Sequence, residues 1–196
     1  DVPEIRLHLA DEALDLWRAT EAELEAIGLP PPYWAFAWAG GQALARYLID
    51  HPEVVAGRRV LSIAAGSGVE AIAAMLAGAS AARATDIDAI PLTAMALNAA
   101  ENGVQLSPSI EDVLDGPVPD EDVILMGDVF YERPLADRAF AYGQRAALAG
   151  RLVLVGDPRR SYFPGRGLTL VAEYRVPTTR ALEDAEVKHT SVWRFE

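Results

Sequence analysis

The sequence of 196 residues contains no cysteine, which excludes disulfide bonds, thiol nucleophiles and thiolate metal ligands. Histidine is limited to three isolated residues, His8, His51 and His189, so we expect no metal site. No apolar run approaches the ~20 residues that a membrane-spanning helix requires. The sequence does not open with a basic segment followed by an apolar stretch, and we therefore expect a cytoplasmic protein.

Positive charge is also scarce in this chain. It has 17 Lys and Arg residues against 29 Asp and Glu, which gives a formal net charge of −12. Tight nucleic-acid binding needs clustered basic side chains, so we expect no nucleic-acid partner. An acidic surface suits a basic partner such as a lysine-bearing protein loop, and it is equally compatible with a role in solubility alone. The sequence leaves open whether Arg159 and Arg160 help to dock a partner.

Strand and helix patterns alternate through most of the chain, and the length predicts a single domain over residues 1–196. Strands are predicted near 60–64, 82–86, 108–111, 122–127 and 151–156, and helices near 69–77, 91–102 and 134–148. This alternation predicts a mostly parallel sheet that is covered by helices. Two later segments, 168–176 and 191–195, have no apolar helix between them and predict an antiparallel hairpin at the sheet edge.

The first 50 residues are organised differently. A helix is predicted over 11–27, and the glycine and prolines that follow it end the pattern. The segment 33–38 is strongly aromatic, and Gly40 and Gly41 then open a helix that runs to Ile49. We expect this helical and aromatic segment, 1–50, to cover the ligand site of the domain.

A turn of small residues, Ala64 to Gly68, follows the strand predicted at 60–64. Small side chains let the backbone approach a ligand, so we predict that Ala65, Gly66 and Gly68 contact a cofactor. The next strand ends at Asp86, whose carboxylate can accept hydrogen bonds from a ribose diol. Ile87 can pack on an adenine ring, and Asp88 is predicted to cap the following helix. Together these residues predict a site for a nucleoside cofactor.

Two features favour one nucleoside cofactor over the other. The turn lacks the dinucleotide-binding spacing, because Val69 stands where the sixth position requires glycine, and this favours S-adenosylmethionine over NAD. The terminal hairpin favours the same cofactor, since an NAD-binding domain normally finishes with another parallel unit. We therefore predict an α/β protein with the class I methyltransferase fold, a seven-strand, Rossmann-like, mostly parallel sheet with a C-terminal antiparallel hairpin.

Two further strand ends carry candidate site residues. Asp112 and Val113 follow the weak strand near 108–111, where a carboxylate and a backbone amide can contact adenine, or where they form an ordinary polar strand end. Asp128 and Tyr131 follow the most apolar strand, at the edge where open α/β sheets bind ligands. A carboxylate beside an aromatic ring suits an amine substrate. The alternative is that Asp128 caps the next helix while Phe130 and Tyr131 fill the core.

Motifs along nearly the whole chain resemble one family. They are Pro3-Glu4-Ile5, Pro32-Tyr33-Trp34-Ala35 with Trp38, Gly40-Gly41-Gln42-Ala43-Leu44, Asp86-Ile87-Asp88, Gly127-Asp128-Val129-Phe130-Tyr131, Gly156-Asp157-Pro158 and Ser191-Val192-Trp193-Arg194-Phe195. The sequence resembles the seven-β-strand lysine methyltransferases that modify the β subunit of electron transfer flavoprotein, including their bacterial members. The resemblance implies transfer of a methyl group from S-adenosylmethionine to a lysine of that protein.

The resemblance also suggests roles for the aromatic residues and shows one departure. Asp128 is expected to orient the lysine amine with Tyr131 beside it, Trp34 and Phe130 to contact the substrate, and Trp38 to contact the cofactor. In this family the glycine motif usually opens Leu-Asp-Leu-Gly, whereas here it reads Leu61-Ser62-Ile63-Ala64. Loss of the carboxylate at Ser62 is expected to weaken cofactor binding.

Three alternatives remain open on the sequence. The chain could be a methyltransferase of another protein or of a small amine, an NAD-dependent oxidoreductase, or a binding module that kept the fold without activity. Cofactor binding separates these classes, and the modified product identifies the target.

Overall fold

The computed structural model describes residues 2–9, 26, 31–178 and 180–196, with the backbone alone for residues 181 and 182. The helix predicted over 11–27 therefore lies outside the described residues, apart from Ala26, which is helical. Every helix in the described part of the chain is too short or too polar to cross a membrane.

Seven strands form one sheet in the order β3-β2-β1-β4-β5-β7-β6. Their bounds are Arg59–Ile63 (β1), Ala81–Asp86 (β2), Ser107–Ile110 (β3), Val123–Gly127 (β4), Leu152–Asp157 (β5), Leu168–Pro177 (β6) and Val187–Phe195 (β7). Strands β1 to β5 pair in parallel, while β7 runs antiparallel to both β5 and β6. The predicted strands and the terminal hairpin are confirmed.

Five α-helices surround this sheet in the described residues. They are Ala39–Asp50 (α1), Val69–Leu76 (α2), Ile90–Glu101 (α3), Arg133–Leu148 (α4) and the short Arg180–Glu183 (α5). Alternate residues of each central strand face opposite layers: Val123 and Leu125 pack with α1 and α2, and Ile124 and Met126 pack with α4. This double burial explains why β4 is apolar on both faces.

The parallel register brings the carboxyl ends of β1, β2, β4 and β5 to one edge of the sheet. Ile63 pairs with Thr85 on one side and with Met126 on the other, and Gly127 pairs with Gly156. The residues that follow these strands therefore gather at a single edge, as ligand sites in open α/β sheets do.

Helix α1 meets β5 through direct backbone contact. A Cβ atom on Gly40 would lie 2.2 Å from the carbonyl oxygen of Gly156, and a Cβ on Gly156 would lie 2.1 Å from the carbonyl oxygen of Gly40. Only glycine fits at both positions, so the N-terminus of α1 lies directly against the end of β5. From there the Gly41 N–H reaches Asp128, in the loop that follows β4, at 2.9 Å.

Candidate functional site

A cavity of about 600 Å³ opens at the carboxyl edge of the sheet. This volume lies in the range of small-molecule sites in proteins. Nine of the predicted site residues line it: Trp34, Trp38, Gly66, Asp86, Ile87, Asp112, Val113, Asp128 and Tyr131. The structure thus brings both predicted groups, around Asp86 and around Asp128, into one space.

Three predicted site residues lie behind the wall of this cavity, as the described residues define it. Ala65 is buried and donates its backbone N–H to Thr85, while Gly68 adopts φ +80° at the start of α2. These two shape the turn rather than face the cavity. Phe130 is fully buried and packs edge-to-face on Phe163, with ring centroids 5.5 Å apart. The Phe130 ring therefore belongs to the core and lies outside the cavity lining, as the alternative interpretation of this residue predicts.

The glycine turn is bound to Asp86 through the backbone. Gly66 adopts φ +50° and donates its N–H to Oδ2 of Asp86 at 3.1 Å, and the Asp88 N–H donates to Oδ1 at 3.3 Å. Burial raises the pKa of Asp86 above its usual range. The cap expected of Asp88 is wrong, since the N-cap of α3 is Ala89 and the Asp88 backbone closes a turn on Asp86 instead.

A carboxyl group stands beside Ser62 although the residue itself has none. Glu70, in the first turn of α2, is buried, and its Oε2 accepts a hydrogen bond of 2.8 Å from the Ser62 hydroxyl. Burial raises the pKa of Glu70 to about 8, partly offset by this hydrogen bond. The carboxyl group that Ser62 lacks is thus supplied from the helix, in a largely protonated form.

Asp112 is held at the cavity wall by Arg138. The guanidinium donates from Nη2 to both carboxylate oxygens at 2.8 Å, and Oδ1 also accepts the Leu114 N–H at 3.2 Å. Val113 is buried beside it and reaches the same cavity. The structure therefore brings a hydrogen-bonded carboxylate and an apolar side chain together at this wall of the cavity.

Asp128 lies in a strained loop directly after β4. Its φ is +57°, and Oδ2 accepts the Gly41 N–H at 2.9 Å. Oδ1 accepts two hydrogen bonds from Arg160, from Nε at 2.8 Å and from Nη2 at 2.5 Å. Burial raises the pKa of Asp128, and the positive charge of Arg160 opposes this shift. A left-handed non-glycine residue held by three donors is typical of a functional position.

Arg160 is fixed on its other sides as well. Its Nη2 lies 3.0 Å from Oε1 of Glu183, and its guanidinium carbon lies 5.5 Å from the centre of the Trp38 ring. The same Glu183 oxygen accepts the Ala39 N–H at 3.2 Å, which links α5 to the start of α1. The backbone N–H of Arg160 donates to Oδ1 of Asp157. Burial raises the pKa of Asp157 to about 7.

Aromatic rings form another wall of the cavity. The Tyr33 ring centroid lies 6.0 Å from that of Trp38 and 5.6 Å from that of Tyr131. The Trp38 indole N–H donates to the carbonyl oxygen of Tyr33 at 2.8 Å. Burial raises the pKa of Tyr131 to about 12, so its phenol stays neutral at physiological pH.

Sequence reasoning missed several residues of this site, among them Tyr33, Arg160 and Glu183. Tyr33 and Arg160 line the cavity, and Glu183 contacts Arg160 from behind. Arg160 follows the end of β5, so its position after a central strand was a usable signal. Glu183 had no such signal, because it lies in the connection between β6 and β7.

Comparison with known proteins identifies the family. The electron transfer flavoprotein β subunit lysine methyltransferase of Danio rerio is 40% identical over 98% of this chain and 76% of its own length. The human protein of the same name is 36% identical over 99% of this chain and 75% of its own. The chain belongs to this family. A family model described as ribosomal protein L11 methyltransferase (PrmA) also matches residues 42–127 of this methyltransferase.

Solved structures share the fold of this lysine methyltransferase. The ribosomal protein L11 methylase of Lactobacillus delbrueckii subsp. bulgaricus has a TM-score of 0.56 at 20% identity, covering 82% of this chain and 81% of that chain. Magnesium protoporphyrin IX methyltransferase (ChlM) from Synechocystis PCC 6803, with bound S-adenosylmethionine, has a TM-score of 0.57 at 16% identity over 80% and 78% of the two chains. The predictions of a class I methyltransferase fold, a methyltransferase and an S-adenosylmethionine cofactor are confirmed.

Proposed function

We propose that this chain transfers methyl groups from S-adenosylmethionine to lysine on the β subunit of electron transfer flavoprotein. One observation carries the proposal: a single cavity joins Asp86 and the glycine turn to Asp128 and Tyr131. A cofactor at one end and an amine at the other would meet inside the protein. The names of the relatives, which match over nearly the whole chain, support the choice of substrate.

The cofactor end fits a nucleoside of this kind. We assign ribose binding to Asp86, adenine contacts to Ile87, Asp112 and Val113, and close backbone approach to Gly66. Trp38 is assigned to the cofactor side as well, and Ala65 and Gly68 contribute through the shape of the turn. When bound, S-adenosylmethionine supplies an electrophilic methyl group on its sulfonium sulfur.

The amine end positions a lysine side chain. An ionised carboxylate has about four acceptor sites, and Asp128 uses three of them for Gly41 and Arg160. The remaining site can accept an N–H of the lysine amine, while Tyr131 and Trp34 enclose its aliphatic stem. Alignment of a neutral amine inside a closed site accounts for most of the catalysis expected of such an enzyme.

The mouth of the cavity suits a basic protein loop. Asp88, Glu111 and Glu132 lie among its lining residues, and their negative charges attract a lysine-bearing segment. The same charges argue against a nucleic-acid substrate. We also retain as proposals a cytoplasmic location and a covering role for segment 1–50, of which residues 31, 33, 34 and 38 line the cavity.

Labelled S-adenosylmethionine and purified β subunit test this function directly. We expect label on lysine, mapped by mass spectrometry, and loss of most turnover in Asp128→Asn, with a smaller loss in Tyr131→Phe. Both variants should still bind S-adenosylhomocysteine in calorimetry, because neither lies at the cofactor end. Full turnover and substrate affinity in both variants would refute the assigned roles.

The same assay separates the remaining alternatives. Labelling of another protein in a cell extract, with the β subunit untouched, would indicate a different target. Binding of NAD in place of S-adenosylhomocysteine would indicate an oxidoreductase. Binding of S-adenosylhomocysteine with no methylated protein or amine would indicate a binding module.

A further inference from the structure

Arg160 lines the end of the cavity that we assign to the lysine amine. Its side chain is 17% exposed, and it lines the cavity together with Asp128 and Tyr131. Two of its nitrogens donate to one carboxylate oxygen, Oδ1 of Asp128. A protein cation therefore already lies on the carboxylate that would anchor the substrate.

The surrounding contacts prevent Arg160 from leaving easily. Glu183 accepts from the opposite side of the guanidinium, the Trp38 ring covers its face, and the Asp157 carboxylate accepts from its backbone N–H at 2.7 Å. Fixed partners on three sides make this a built charge site rather than a mobile surface arginine.

Acidic or titratable side chains surround Arg160, and they come from several strands, helices and loops. Negative or titratable groups that face this cluster are Asp128 after β4, Asp157 at the end of β5, Glu183 in α5, Tyr131 in the loop before α4 and Glu70 behind Asp128. The one further cation among the described contacts of this cluster is Lys188, 4.0 Å from Glu183. Arg160 is the cation in direct contact with Asp128.

A lone carboxylate would work against methyl transfer. A carboxylate beside a lysine favours the charged ammonium, whereas the reaction needs the neutral amine with its lone pair free. Lysine in water has a pKa near ~10.4, so even a small further rise leaves little neutral amine at physiological pH. A neighbouring cation has the opposite effect, because like charges disfavour the charged form.

We propose that Arg160 is a positioning residue that fixes the Asp128 carboxylate and, through its positive charge, favours the neutral form of the substrate lysine. This inference rests on the proposed lysine methylation. The lysine nitrogen first loses a proton to water, and Asp128 then holds the neutral amine by a hydrogen bond. The nitrogen lone pair forms the N–C bond to the methyl carbon as the C–S bond of the sulfonium breaks, so S-adenosylhomocysteine leaves and the positive charge passes to the methylated nitrogen. Glu183 moderates the effect by offsetting part of the Arg160 charge.

The pH dependence of kcat, measured at saturating β subunit, tests this role, because kcat reports ionisations in the enzyme–substrate complex. Removal of the charge in Arg160→Gln should move the acidic limb of the profile to higher pH by about one unit. Arg160→Lys keeps a charge and should stay close to wild type. Glu183→Gln should move the limb to lower pH, because Gln still accepts the Ala39 N–H but no longer offsets the Arg160 charge.

Temperature identifies which group titrates. Ionisation of an amine has a large enthalpy and that of a carboxylic acid almost none, so a limb that shifts to lower pH on warming belongs to the lysine and not to Asp128. A reduced kcat with an unmoved limb in Arg160→Gln would show a structural role only and would overturn the inference. A shift in the same direction for Arg160→Gln and Glu183→Gln would overturn it too.

A measurement without substrate keeps this inference separate from the proposed function. Urea unfolding of Asp128→Asn, Arg160→Gln and the double variant should show a clear coupling, with the double variant less destabilised than the sum of the singles. Additive effects would mean that the pair is not formed and would overturn the inference. An unmodified β subunit with wild-type enzyme would instead contradict the proposed function, while the coupling would still decide whether Arg160 holds Asp128.

Discussion

The hydroxyl of Ser62 and the carboxyl group of Glu70 form a buried hydrogen bond of 2.8 Å. It joins the strand before the glycine turn to the helix after it, so both ends of the turn are fixed by one contact. A Cβ atom added to Gly127 would lie 1.9 Å from Oε1 of the Glu70 carboxyl group. Glu70 therefore also reaches the backbone at the end of β4, one residue before Asp128.

The pair predicts a compensating substitution. Ser62→Ala removes the donor to a buried carboxyl group and should lower the free energy of unfolding by about 1–3 kcal/mol. Ser62→Asp should cost more, because two buried carboxyl groups would then be adjacent. The double variant Ser62→Asp, Glu70→Ala should recover part of this loss in urea unfolding. A double variant less stable than Ser62→Asp alone would contradict the idea that one carboxyl group can come from either position.

Glu70 also predicts a pH dependence of stability. Because the folded state raises its pKa from 4.5 to about 8, the folded chain binds a proton that the unfolded chain releases above pH 4.5. Wild type should therefore lose stability relative to Glu70→Gln as pH rises from 4.5 to about 8, with no further change below or above that window. Urea unfolding of both proteins between pH 4 and 9 measures this difference, and the subtraction cancels the other titrating groups. A constant difference from about pH 5 to 8 would show that Glu70 is ionised in the fold.

The contact between α1 and β5 predicts a strong effect at Gly40. A methyl group there would lie 2.2 Å from the Gly156 carbonyl oxygen and 2.6 Å from Oδ2 of Asp128, so backbone and carboxylate must both move. Gly40→Ala should be destabilised by about 1–3 kcal/mol, despite the better helix propensity of alanine, and should lose most methylation activity. Gly165→Ala is the matched control, since no described atom lies within 4 Å of its added carbon. Equal behaviour of the two variants would contradict this close packing.

Asn98 links the first described residues to the glycine turn. Its side chain is fully buried. Oδ1 accepts the backbone N–H of His8 at 2.7 Å, and Nδ2 donates to the carbonyl oxygen of Ser67 at 2.8 Å. Asn98→Ala should lower stability by about 1–3 kcal/mol and weaken S-adenosylhomocysteine binding several-fold in calorimetry.

Asn102 provides the control for that experiment. Its side chain also bonds the segment 2–9, through the backbone of Arg6 at 2.9 and 2.6 Å, but the described hydrogen bonds do not connect it to the turn. Asn102→Ala should loosen the segment and leave cofactor affinity nearly unchanged. Equal loss of affinity in both variants would place the effect in the segment rather than in the turn.

The sequence predicted the sheet well because each central strand is a short apolar run bounded by turn residues. It also placed Asp86 and Asp128 correctly, since a residue just after a buried parallel strand must lie at the carboxyl edge. These inferences depend only on local pattern and on one rule of chain topology. The prediction that Asp88 caps the next helix is also a local inference, and it is wrong. The choice of capping residue depends on backbone geometry that local sequence does not determine.

Contacts between distant parts of the chain could not be predicted. Glu70 reads as an ordinary acidic residue at a helix N-terminus, where such residues are favoured for their charge alone, yet it is buried against Ser62. Glu183 contacts the Ala39 backbone across 144 positions of sequence. No periodicity or spacing rule reports such a pairing, and a single sequence has no information on which carboxylate will meet Arg160.

The two carboxylates that hold Arg160, those of Asp128 and Glu183, lie far apart in the sequence. This separation affects the order in which the site can form during synthesis. Glu183 lies in the connection between β6 and β7, and β7 occupies the place between β5 and β6 in the sheet. A nascent chain on the ribosome can form the glycine turn and Asp86 early, whereas Glu183, the partner of Arg160, is synthesised after every strand of the cofactor end. We therefore expect the lysine end of the cavity to be assembled last, after the cofactor end has already folded.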